Sequence, residues 1–127
     1  AVDIGGGATV SACNFSNCYT DGIGGGISAF RPAADGTASA VSVSHSVFDK
    51  CLAKVYGGAI FGLRDSGVAG LVHVRSSLFF RCANAFEGGG GGGGAGAFMG
   101  VGVVNDSFVD GCDSSNDGGA FILRYGG

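Results

Sequence analysis

Tryptophan is absent from these 127 residues, proline and methionine occur once each, and lysine occurs twice, at Lys50 and Lys54. Charge is equally scarce. Only 13% of the residues are charged while 46% are hydrophobic, the reverse of the balance that keeps a chain disordered. The seven Lys and Arg stand singly against ten acids, for a net charge of −3, which argues against a nucleic-acid-binding face. No apolar run approaches the ~18 residues of a membrane span, so no direct span is expected. No secretory leader is visible and the first residue is Ala1 rather than Met, which reads as a mature form or an excerpt of something longer. What is abundant is glycine, 28 residues, with Ser, Ala and Val beside it. That composition suits an extracellular or cell-surface β protein, and the length suits one domain with a modest core.

An internal repeat organises the chain. Four segments run from Val to Cys with the same spacing: VSACNFSNC (10–18), VSHSVFDKC (43–51), VRSSLFFRC (74–82) and VNDSFVDGC (104–112). Phe15, Phe48, Phe79 and Val109 stand three residues before the four cysteines. Ser46, Ser77 and Ser107 share a further slot, which Cys13 takes in the first segment. A glycine-rich element follows each Cys: GGGIS (24–28), GGAIF (57–61), AGAFM (95–99) and GGAFI (118–122). From Cys to the small residue before the apolar one is eight residues in three repeats, but 15 from Cys82 to Ala97. The excess of seven equals the glycine run Gly88–Gly94, so the run reads as an insertion at one corner and not as a domain boundary. It is not a phosphate loop, since no Lys-Ser/Thr follows it and no helix is expected to open there.

Short period-two alternations such as VSVSH (41–45) and VHVRS (72–76), punctuated by glycine, read as strand, turn, strand. No 3.6-residue pattern persists. A unit of ~31 residues with two or three short strands is one coil of a single-stranded parallel β-helix, an all-β solenoid. About four coils are expected, at approximately 8–40, 41–71, 72–103 and 104–127, within one domain spanning 1–127 and with the insertion at 88–94.

The stretch SVFDKCLAKVYGGAI (46–60) resembles the repeat of the chlamydial-type polymorphic outer-membrane proteins, which pairs F-x-x-N with GGA-[ILV]. Gly57–Ile60 and Gly118–Phe121 match the second half well, Gly24–Ile27 and Gly96–Phe98 loosely. Cys18, Cys51, Cys82 and Cys112 stand where that family has Asn. The resemblance covers about residues 5 to 123 and implies a pectin-lyase-like, right-handed β-helix.

Several columns are candidates for function. Equivalent residues of adjacent coils lie ~4.8 Å apart, within the Cα window of a disulfide. Cys18, Cys51, Cys82 and Cys112 therefore form either a ladder of buried free thiols or inter-coil disulfides pairing Cys18 with Cys51 and Cys82 with Cys112. Ligands stacked in one column point the same way rather than converge, so no metal site is expected there, and no cofactor is implied. Asn14 and Asn105 head N-x-S sequons on columns expected to face outward, so both are possible glycan sites. Val47, Leu78 and Phe108 share the Asn14 column as an outward apolar stripe, either covered by a loop such as 31–40 or used, with Gly88 and Gly94, for lateral contact. His45 and His73 have no aligned carboxylate, and Asp49 and Asp110 share an outer column. No catalytic cluster emerges, and the chain is not expected to be an enzyme.

These columns suggest a non-catalytic extracellular structural module that associates with itself end to end into a fibre or surface appendage. Neither terminal stretch, AVDIGGGATV nor GGAFILRYGG, reads as a solenoid cap. A second copy placed directly after the first would keep a Cys-to-Cys spacing of 33, equal to the interval from Cys18 to Cys51. The alternative is a fragment of a cell-surface adhesin or autotransporter-like passenger. A polysaccharide-binding or polysaccharide-cleaving β-helix is the third reading.

Overall fold

The computed structural model describes residues 2–4, 8–29, 40–63, 71–85, 92–99, 101–115 and 118–123. Among these residues every regular element is a strand, and every strand pairing is parallel. After β1 (Val2–Ile4), the first coil comprises β2 (Ala8–Ser11), β3 (Asn14–Ser16), β4 (Tyr19–Thr20) and β5 (Ile27–Ala29). The second comprises β6 (Ala40–Ser44), β7 (Val47–Asp49), β8 (Leu52–Ala53) and β9 (Ile60–Leu63). The third has β10 (Leu71–Arg75), β11 (Leu78–Phe80), β12 (Ala83–Asn84) and β13 (Gly96–Met99), and the fourth has β14 (Val101–Asn105), β15 (Phe108–Asp110), β16 (Asp113–Ser114) and β17 (Phe121–Leu123).

Strands of successive coils stack into four sheets: A (β1-β5-β9-β13-β17), B (β2-β6-β10-β14), C (β3-β7-β11-β15) and D (β4-β8-β12-β16). The chain is a parallel β-helix-like solenoid. Each coil carries four short strands, not two or three, because two of its corners are tighter than glycine punctuation alone reveals.

Those corners are built from left-handed residues. Between sheets B and C the turn falls on Ala12, His45, Ser76 and Asp106, and between C and D on Asn17, Lys50, Arg81 and Gly111, all at positive φ. A residue in this region turns the chain from one sheet to the next within a two-residue corner, at a cost of about 1–2 kcal/mol for a non-glycine residue. The strands on either side hold it there. Ala12, His45 and Ser76 donate their N–H groups to Ser44, Arg75 and Asn105 of the next coil, and Asn17, Lys50 and Arg81 to Asp49, Phe80 and Asp110.

The GGA signature has a separate physical reason for each letter. Its first glycine, Gly24, Gly57, Gly93 or Gly118, is left-handed. The second admits backbone from the next coil. A Cβ on Gly25 would lie 2.2 Å from the Gly58 carbonyl oxygen, on Gly58 2.1 Å from that of Gly94, and on Gly94 2.2 Å from that of Gly119. The third residue must be small because it faces the aromatic core: a Cβ on Gly26 would meet the Phe48 ring at 3.0 Å.

That core is a stack of rings. Phe15, Phe48 and Phe79 lie nearly parallel, with centroids 4.8 and 4.9 Å apart, the spacing of the strands that carry them. Val41, Val43, Val72 and Val74 from sheet B and Ile27 and Ile60 from sheet A close around them, all buried. Phe98 takes the room left by Gly102, where a Cβ would fall 2.4 Å from its ring, and Val72 takes that left by Gly62, where a Cβ would fall 2.5 Å from its Cγ2.

The register corrects the reading of the glycine run. Gly96 pairs with Ile60 and Phe121, and Gly92 bridges Tyr56. Gly93-Gly94-Ala95 is therefore the third GGA, two residues before the alignment that placed Ala97 there. Cys82 to Ala95 is 13 residues, so the insertion is five residues long, not seven. It falls within 86–91, outside the described residues, because Ala85 still pairs with Ala53.

Phe48→Ala should cost about 3–5 kcal/mol, measured by chemical denaturation. Gly58→Ala, which forces a Cβ onto backbone, should cost at least as much as typical overpacking, about 1–3 kcal/mol.

Candidate interaction surfaces

The four repeat cysteines are placed by the corner that precedes each of them. The left-handed Asn17, Lys50, Arg81 and Gly111 turn the chain so that the next side chain points inward. Cys51 and Cys82 are fully buried, and Cys18 and Cys112 are half-buried. All five cysteines are free. Each repeat thiol lies near the carbonyl two residues before it, at 3.4 Å for Cys82 and Phe80 and 3.8–3.9 Å for the others. Cys51 and Cys82 also reach back to the Phe15 and Phe48 carbonyls at 3.5 and 3.4 Å.

The serine column does the same at the preceding corner. Ser46, Ser77 and Ser107 each donate to the carbonyl two residues earlier at 2.9 Å. Each hydroxyl oxygen also accepts the N–H of the preceding coil's equivalent residue: Cys13 to Ser46, Ser46 to Ser77 and Ser77 to Ser107, at 3.2–3.3 Å. The Cys82 N–H finds the Cys112 sulfur at 3.4 Å in the same sense. The two ladders are thus one motif written with oxygen at one corner and sulfur at the other.

Cys82 and Cys112 are poor nucleophiles. A hydrogen bond from Cys112 works to lower the Cys82 pKa, but a hydrogen bond with Cys51 and burial outweigh it and push the group up to about 12. The hydrogen bond to Cys82 and then burial raise Cys112 as well. Since the thiolate is the reactive form, these two thiols are chemically quiet. Cys13 is exposed. Among the described residues no group of His, Cys, Asp and Glu is arranged to hold a metal ion, and no helix is long and apolar enough to cross a membrane.

The outer face of sheet C carries the apolar stripe. Asn14, Val47, Leu78 and Phe108 stand in register. Leu78 is 38% and Phe108 56% exposed, with Tyr19 nearby in sequence at 53%. Phe80 leans on Phe108 at a centroid distance of 6.2 Å, and Arg81 binds Asp49 across two coils at 2.8 Å. Asn14, at the head of the stripe, is exposed. Gly94 is not on this surface. It is buried beneath the Gly119 and Asp113 carbonyls, which removes it from any lateral contact, and Gly88 lies outside the described residues.

Asn105 is exposed at the end of β14, in register with Arg75 and through it with Ser44 and Ser11. Its amide lies 3.4 Å from the His73 ring. Next to it a concavity of about 360 Å³ is lined, among the described residues, by Thr9, Ser42, Val43, Ser44, His73 and Arg75. His45 sits apart, on its corner. Sequence reasoning missed this concavity, because its residues share no motif and meet only through the sheet B register.

Comparison with models of protein families, with characterised proteins and with solved structures finds no match.

Two outcomes follow from the thiols. Under native conditions iodoacetamide should label Cys13 first and leave Cys51 and Cys82 unlabelled until the chain unfolds, as read by mass spectrometry. The native state also holds protons on Cys82 and Cys112 that the unfolded chain releases near its ordinary thiol pKa. Stability is therefore full below about pH 9 and falls as pH rises toward about 12. The slope of unfolding free energy over that window should flatten in Cys82→Ala.

Proposed function

We propose that this chain is a non-catalytic structural module, working outside the cell or on its surface, whose right-handed coils stack end to end into a fibre or appendage. The observation that carries the reading is the coil-to-coil contact repeated at Gly25, Gly58 and Gly94, where a carbonyl oxygen of the following coil lies 2.1–2.2 Å from the place of a Cβ; at Gly119 the nearest atom among the described residues is the Cys112 carbonyl oxygen, at 3.7 Å. A second copy seated on the fourth coil would bring its own Gly25 and Tyr19 carbonyls to the place that Gly119 and Asp113 take against Gly94.

The side-chain ladders continue in the same sense. Ser107 N–H would meet the second copy's Cys13 sulfur, and Cys112 N–H its Cys18 sulfur. Val104, Val109, Cys112 and Phe121 at one end, and Val10, Phe15 and Cys18 at the other, are only partly buried and pack against the same core. The resemblance of Gly57–Ile60 and Gly118–Phe121 to the polymorphic outer-membrane protein repeat supports the right hand and the surface setting.

Light scattering with negative-stain electron microscopy tests this reading. The expected result is filaments from the unmodified chain and none from Gly119→Ala, whose unfolding midpoint stays near that of the parent because, among the described residues, its Cβ makes ordinary contact with the Cys112 carbonyl oxygen at 3.7 Å. Compact monomers at high concentration, or filaments that ignore the Gly119 substitution, would overturn it.

A second reading, a piece of an adhesin or autotransporter-like passenger, is favoured by the exposed Leu78 and Phe108. A monomer that binds a surface partner and loses that binding in Phe108→Ser would support it.

A further inference from the structure

The outer face of sheet B carries a polar array that end-to-end stacking does not use. In the register of this sheet Thr9, Ser42 and His73 stand in one column, and Ser11, Ser44, Arg75 and Asn105 in the column two residues on. Strands lie ~4.8 Å apart, and alternate residues of one strand ~6.6 Å apart. Ser42, Ser44, His73 and Arg75 therefore mark the corners of a rectangle whose centre is ~4 Å from each of their backbones. Val43 and Val74, at the middle of its two long sides, are buried in the core, so neither side chain fills that centre. The concavity of about 360 Å³ lies here, lined among the described residues by the four corners with Thr9 and Val43.

The corners hold hydrogen-bond donors that the fold leaves to spare. Arg75 is exposed, and among the described residues no carboxylate pairs with its guanidinium. Thr9 and Ser42 are exposed too, and their hydroxyls have no hydrogen-bond partner among these residues. The Ser44 hydroxyl meets that of Ser11 at 3.3 Å, a long contact for two hydroxyls and one that a charged acceptor outcompetes. His73 is half-buried, and the Asn105 amide nitrogen lies 3.4 Å from its Nε2. With that amide donating to Nε2, the ring proton sits on Nδ1, where it is available to a ligand.

We propose that this rectangle binds a tetrahedral oxyanion, sulfate or phosphate, either free or as a monoester. Arg75 supplies the charge and a fork of N–H donors. The Thr9, Ser42 and Ser44 hydroxyls and the His73 ring supply further donors around it. A carboxylate has its two oxygens in one plane, and the Arg75 fork alone satisfies it. A tetrahedral group turns three oxygens toward the sheet, and donors at separate corners can meet each of them. Asn105 is a positioning residue that acts through His73. The site lies on the face of sheet B and is independent of how coils join at their ends.

Two-dimensional NMR of the unmodified chain tests the proposal, with inorganic sulfate, inorganic phosphate, methyl phosphate and acetate as probes and sodium chloride at matched ionic strength as the control. The expected result is saturable shifts of the Ser42, Ser44, His73 and Arg75 amides with sulfate and phosphate, at a Kd on the order of 1 mM. Acetate should bind more weakly. Arg75→Gln should weaken binding roughly tenfold or more, as the loss of a charge-assisted contact implies, with an unchanged unfolding midpoint because the side chain is exposed. Arg81→Gln, which removes a cation already held by Asp49, should leave binding as it is. Asn105→Ala should weaken binding and also move the His73 ring nitrogen signals before any ligand is added. Methyl phosphate binding more tightly than inorganic phosphate would support the site and assign it to an ester on a larger molecule, and the reverse order would support it as a site for the free ion. Shifts that never saturate, equal shifts in chloride, acetate binding as tightly as sulfate, or binding that survives Arg75→Gln would overturn the proposal.

Discussion

A carbonyl of one coil entering the space left by a missing side chain in the coil before it is the contact on which the rest of the solenoid depends. At Gly25, Gly58 and Gly94 the intruding oxygens lie 2.1–2.2 Å from where a Cβ would be. No other residue type leaves that room. The approach draws sheet D against the start of sheet A, and that pinch closes each coil into a narrow loop. The phenylalanine rings can then stack at the strand spacing with no space between them.

The corners show how little chemistry the fold requires once that shape is fixed. A side chain that donates to the carbonyl two residues behind it, and accepts from the coil before it, suffices at each turn. Oxygen does this at one corner and sulfur at the other, and Cys13 takes the serine's place in the first coil with its sulfur 3.3 Å from the Ser11 carbonyl. The cysteines look like a reactive set in the sequence because they are cysteines. In the structure they are small, inward and hydrogen-bonded, and sulfur's larger radius also fills core volume that serine would leave.

Much of the architecture was legible before any coordinates, because a repeat of about 31 residues states which positions stack. The Val, Phe and Cys columns, and the Asn14–Val47–Leu78–Phe108 stripe, follow from counting alone. What counting missed were positions whose role is set by backbone conformation. His45, Lys50, Ser76 and Arg81 give no hint in their side chains that they adopt positive φ, so the extra corners and the fourth strand of each coil stayed hidden. The misplacement of the third GGA has a simpler origin. In a run of identical glycines any of several alignments fits, and only pairing with Tyr56 and Ile60 selects one. The concavity beside His73 escaped because the columns Thr9–Ser42–His73 and Ser44–Arg75, though aligned by the repeat, share no residue type that points to a site.

The five extra residues within 86–91 leave no trace in the sheets on either side of them. Asn84 still sits in register with Ala53 before the insertion, and Gly96 with Ile60 after it. The rise of the solenoid is therefore independent of the contour length of its coils. At this corner the molecule is open to cargo: a peptide epitope or a reporter loop grafted between Ala85 and Gly92 could vary in length without shifting a single strand.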